Sequence, residues 1–154
     1  MAVLEAQQWC EKPENRDEVA AICAKRQWIN CPVDDITDRV KGKFDYGTGK
    51  VVENSPHIMR FWEDFASYPY QSHDLWFLTE DIRWGKYEPG FDTKALIAKV
   101  NREDLWRDAA KALGVTAMPA STSRGKETFF DGKVFDPENP AAYLKSLSIK
   151  RVEA

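Results

Sequence analysis

The sequence is poor in the side chains most often used for catalysis and metal binding: two histidines and three cysteines in 154 residues. Cys10, Cys23 and Cys31 have neither C-x-x-C spacing nor a histidine close by, which excludes the usual zinc arrangements. Their odd number argues against a dense disulfide framework. The thiols are expected as small buried side chains, with a single bridge left open for an oxidising compartment. No apolar run approaches the ~20 residues needed to cross a bilayer. The opening "MAVLEAQQWC" has no basic segment, apolar stretch and small-residue cleavage site, so no signal peptide is read. Trp9 stands where a lipid-attachment cysteine at position 10 would need a small residue. A basic excess is missing too: 22 Lys+Arg stand against 25 Asp+Glu, for a net charge of −3 with the signs interspersed. That removes the electrostatic case for a nucleic-acid partner. The patterns G-x-S-x-G, H-E-x-x-H, the P-loop, G-x-G-x-x-G and the EF-hand loop are all missing. No enzyme, no cofactor and no metal is therefore expected.

What the chain does have is apolar mass. Hydrophobic residues make up 43% and aromatics 12%, with six tryptophans. That is enough for one domain over residues 1–154 with a real core. The expected architecture is mostly α, about eight short helices with a small β-hairpin. Val3, Ala6 and Cys10 fall at helical spacing. Asn15 with Glu18 resembles a capping box, and Val19, Ile22 and Cys23 continue the stripe. Val33, Ile36 and Val40 read as a short helix stopped by Gly42, and "FDYGTGKVVEN" as a loop or small irregular hairpin. Ser55-Pro56 is an expected helix start carrying Ile58, Trp62 and Phe65. Ser72 is expected to cap a helix closed by Gly85. Asp92 or Thr93 opens another, with Leu96, Ile97 and Val100. Asn101 and Asp104 open the next, ended by Gly114. Asp131-Gly132 between β-formers suits a type I′ hairpin turn. Asn139-Pro140 starts a last helix through Leu144 and Leu147.

Few residues offer chemistry. His57 and His73 sit in first turns with no nucleophile placed by a local motif, and each reads as a helix-start residue that bonds locally. The acidic pairs Asp34-Asp35, Glu63-Asp64 and Glu80-Asp81 read as solvated charge, and the pair at 34–35 also complements a helix dipole. "GTG" at Gly47–Gly49 is too short to cradle a phosphate. Trp62, Trp76, Trp84 and Trp106 fall at helical spacing and are expected in the core. The polar stretch with most potential is "ASTSRGK". Ser121, Thr122, Ser123 and Arg124, with Lys126, offer hydroxyls and positive charge of the kind an oxyanion site uses. A loop of that composition is by default solvated, so these residues are candidates by composition alone.

Longer words of the sequence say more. "SHDLWFLTEDIRWG", "NREDLWRDAAKALG" and "FFDGKVFDPENPAAYL" are idiosyncratic, and with the opening "MAVLEAQQWC" they resemble the C-terminal part of the nitrate- and bicarbonate-binding proteins of ABC importers. The resemblance covers essentially the whole chain and leans to the nitrate branch. It implies the C-terminal portion of a two-lobed α/β periplasmic-binding-protein fold, without the first lobe. It also implies Met1 as an internal methionine that has become a start. The parent would hold a small inorganic anion, nitrate, between its lobes and pass it to ABC permease subunits. Its place would be periplasmic or membrane-tethered. No ligand-binding residue of the family maps onto a position of this chain.

Two other readings stand beside that one: a C-terminal regulatory domain from a fused transporter ATPase subunit, and a free-standing helical interaction module that has lost anion binding. A portion shaped to pack against lobes should leave an apolar face uncovered, involving Val3 and Leu4, and self-association is expected through it.

Overall fold

The computed structural model describes residues 1–148. Its backbone contacts fall into two compact units, Met1–Ser67 and Tyr68–Ala154. In the first, helices α1 (Ala2–Glu11), α2 (Arg16–Ala24) and α3 (Asp34–Val40) precede a hairpin of β1 (Phe44–Asp45) and β2 (Val51–Val52). Phe44 lies opposite Val52 in its antiparallel register. The second holds α4 (Gln71–Arg83), α5 (Thr93–Val100) and α6 (Glu103–Ala112). A second antiparallel hairpin, β3 (Glu127–Thr128) with β4 (Val134–Phe135), and α7 (Pro140–Ser146) complete it. The mostly helical architecture holds, with two hairpins rather than one.

In the first unit, two local expectations fail for one shared reason: the polar group that would cap or continue a helix is engaged elsewhere. Asn15 stands at the N-cap of α2 but makes no side-chain cap. Its amide donates instead to the Trp9 carbonyl at 2.7 Å. Ser55-Pro56 starts no helix, and only a 3-10 turn, Glu63–Phe65, forms in that stretch. The Ser55 hydroxyl accepts the His57 N–H in a local turn. Further on, the backbone is taken by side chains from α1 and α2: Arg16 donates to the Met59 carbonyl, and Glu11 accepts the N–H groups of Phe61 and Trp62. A helix cannot run through groups so committed. The apolar stripe of α1 is also shifted by one residue, with Leu4 buried at 6% exposure and Val3 open at 66%.

In the second unit the core is aromatic. Tyr68 packs edge-on against Tyr70 and Trp106 with ring centroids 4.8 and 5.1 Å apart, a favoured geometry. Ile97, Ala110, Phe135 and Tyr143 are buried with them. Asp92 caps α5 by accepting the Ala95 N–H, and Asn139 caps α7 by accepting that of Ala142, with Pro140 in the first turn. Gly85 and Gly114 close α4 and α6 at φ of 75° and 73°. Ser72 is not a cap; it lies buried inside the first turn of α4. Trp84 is 51% exposed rather than core. The hairpin turn differs as well. Gly132 has φ 79° while Asp131 stays negative, and the Gly132 N–H bonds the Phe129 carbonyl. That excludes type I′, which needs positive φ at both central residues, and matches a three-residue loop ending in a left-handed glycine.

Candidate functional site

The loop at 121–126 is laid across the start of α4. The Gln71 N–H, one of the donors a helix start leaves open, bonds the Thr122 carbonyl at 2.9 Å. The buried Ser72 hydroxyl accepts the Arg124 N–H at 3.0 Å. Within the loop, Ser121 accepts the Ser123 N–H and Ser123 accepts the Gly125 N–H, at 3.0 and 3.1 Å. Both hydroxyl oxygens are thus turned to their own backbone. Lys126 reaches Asp136 at 2.8 Å, and this contact raises the lysine pKa and lowers that of the aspartate. A shallow cavity of about 360 Å³ adjoins the loop, lined by Thr122 and Ser123 with Gln71, Ser72, Thr93 and Lys94. Ser121 and Arg124 are not part of its lining.

Three largely covered polar knots of the fold carry no local sequence signature. In the first unit, the Arg16 guanidinium lies 3.3 Å from the Glu11 carboxylate, and both side chains are almost fully covered. Burial alone would raise the Glu11 pKa, but the N–H groups of Trp62, Phe61 and Glu63 and the Arg16 charge together hold it below its usual range. In the second unit, Tyr68 donates to Glu103 at 2.6 Å. Burial, then this carboxylate, pushes the Tyr68 phenol up to about 12. Tyr143 donates to Glu80 at 2.7 Å, and Glu80 pairs with Arg83 at 2.8 Å. Glu80 is therefore a packed network member, not the solvated charge expected of it. Such groups are stable when buried because each has a partner.

The histidines fall in different surroundings. His73 Nε2 lies 2.7 Å from Glu127 Oε1. His57 is exposed on the rim of a large apolar hollow in the first unit. The three thiols are free and half-buried rather than buried. Burial, then the nearby Cys23, pushes the Cys10 thiol up, which makes it less nucleophilic. Among the described residues no three metal-ligating side chains converge. None of the helices described is long and apolar enough to cross a membrane.

No family model matches the chain. It is 57% identical over its whole length to the nitrate/nitrite-binding protein NrtA of Synechocystis sp.. It is 44% identical over 98% of its length to the bicarbonate-binding protein CmpA of Synechococcus elongatus. The nitrate import ATP-binding protein NrtC of Synechocystis sp. is similar at a lower level, 29% over 97% of this chain. The chain spans about a third of the length of the binding proteins, 35% and 36%. A crystal structure of the periplasmic nitrate-binding protein NrtA from Synechocystis superposes on 95% of the chain with a TM-score of 0.89 and 56% identity, covering 39% of that protein. With more than half its residues identical along its length and the same fold, the chain corresponds to the C-terminal part of the nitrate/nitrite- and bicarbonate-binding protein family.

Proposed function

We propose that the chain serves as the C-terminal portion of the substrate-binding component of an ABC importer for nitrate, or for a related small oxyanion such as nitrite or bicarbonate. The observation that carries this reading is the order of the similarities: nitrate/nitrite-binding proteins first, then the bicarbonate-binding protein, then the transporter ATP-binding protein. On this reading the protein is non-catalytic, works in the periplasm or tethered to the membrane, and passes its ligand to permease subunits. The role of this portion is to support the binding fold, while the donors that strip and hold the anion lie elsewhere in it. The loop at Ser121–Arg124 favours that division. A small hydrated anion needs several converging hydrogen bonds in place of its water, and here Ser121 and Arg124 lie outside the cavity that Thr122 and Ser123 line.

The test is a chimera in which this chain replaces the matching region of the Synechocystis nitrate/nitrite-binding protein. A folded chimera should bind nitrate within about tenfold of the intact protein, a margin of ~1.4 kcal/mol. A folded chimera without nitrate binding would contradict the reading and favour a helical interaction module that has lost the anion.

A further inference from the structure

The first unit leaves an apolar hollow open. Val19 of α2, Ile36 and Val40 of α3, Phe44 of β1, and Ile29 and Met59 from the connections line a cavity of about 600 Å³. Met59 is 63% exposed and Ile29 58%. The charged side chains among its lining are arginines. Arg16, Arg39 and His57 border it, but Arg16 is already committed to Glu11 and to the Met59 carbonyl. For the Arg39 guanidinium the described residues offer no hydrogen bond or ion pair, and the residue is exposed.

A lining this apolar offers a nitrate ion too few donors to replace its hydration. It suits side chains. The binding-protein relatives are about three times as long as this chain, and in the superposed crystal structure the larger part of the protein lies outside the shared region. We propose that the hollow is the seat of an apolar ridge from the polypeptide that makes up that remaining part of the family fold, with a carboxylate of the ridge meeting Arg39. The inference rests on the proposed function and names the partner surface it requires. An open apolar patch of this kind is what an interaction site presents before it is covered.

The dye 1-anilinonaphthalene-8-sulfonate, whose fluorescence rises in apolar clefts, reads the hollow directly. The chain alone should bind it. Met59→Glu should lower the signal severalfold while leaving the thermal midpoint within a few degrees, because an exposed side chain carries little of the core. The folded chimera should show roughly fivefold less fluorescence than the chain, its hollow now filled. Equal fluorescence from chain and chimera would overturn the proposal. So would unfolding of the isolated chain by Met59→Glu, which would make Met59 core. Sedimentation that shows a dimer dissolved by Met59→Glu would overturn it in favour of a second copy as occupant. Nitrate titration of the same chimera separates the two ideas. Dye exclusion without nitrate binding refutes the function alone; nitrate binding with undiminished dye signal refutes the docking alone.

Discussion

Glu11 shows best what single residues do in this chain. Its carboxylate gathers the Phe61 and Trp62 N–H groups and the Arg16 guanidinium, so one side chain of α1 pins a stretch fifty residues on. Removing it leaves two backbone donors without their acceptor and a covered arginine without its counter-charge, a loss of about 3 kcal/mol for a buried pair. Urea unfolding of Glu11→Ala at pH 7 should show a fall of that size. Because its folded pKa is lowered, the carboxylate's contribution is full above the unfolded value of about 4.3 and fades as pH falls through the folded value. The wild-type chain should thus lose stability on acidification more steeply than the variant, as read by unfolding at pH 7 and at lower pH. The sequence offers no sign of this knot. Glu11 and Arg16 are ordinary polar residues in an amphipathic pattern, and their partners are main-chain groups that no side-chain motif marks.

At the scale of elements, the outcome turned on whether a capping side chain was free to cap. Asp92 and Asn139 were, and the helices they start were legible. Asn15, Ser55 and Ser72 have the same chemistry but give their polar groups to Trp9, to a local turn and to Arg124. Competition from distant or irregular backbone is invisible to a local rule. Asn139→Ala and Asp92→Ala should each cost about 1 kcal/mol, a cap's usual worth, measured by chemical denaturation. Ser72→Ala should instead loosen the loop at 121–126, since it orphans the Arg124 N–H; faster amide exchange at Arg124 is the expected signature. In the second hairpin, Gly132 holds φ 79° with open space where a Cβ would sit. Gly132→Ala should therefore cost about 1 kcal/mol through backbone strain alone. The fully exposed Phe130 beside it should be replaceable by Ser within about 0.5 kcal/mol.

For the whole molecule, the long words "SHDLWFLTEDIRWG" and "FFDGKVFDPENPAAYL" carried the family, and no composition or periodicity would have done so. They fill α4 and the stretch from the second hairpin into α7, where aromatic packing and the Tyr143–Glu80 network demand particular residues. The apolar face expected around Val3 and Leu4 is not found there: Leu4 is buried, and the open hollow is built from α2, α3, β1 and the segment around Met59. We propose that residues 1–154 still unfold as one domain, with a single calorimetric transition whose van't Hoff and measured enthalpies agree. On the proposed function, this chain supports an anion-binding fold without itself holding the anion. Isothermal titration of the chain alone with nitrate tests it most directly. Only weak, unsaturable heat that fades with added salt is predicted, as for exposed charges on a loop. Saturable micromolar binding that Arg124→Ala abolishes would contradict the claim and make the loop at Ser121–Arg124 the site.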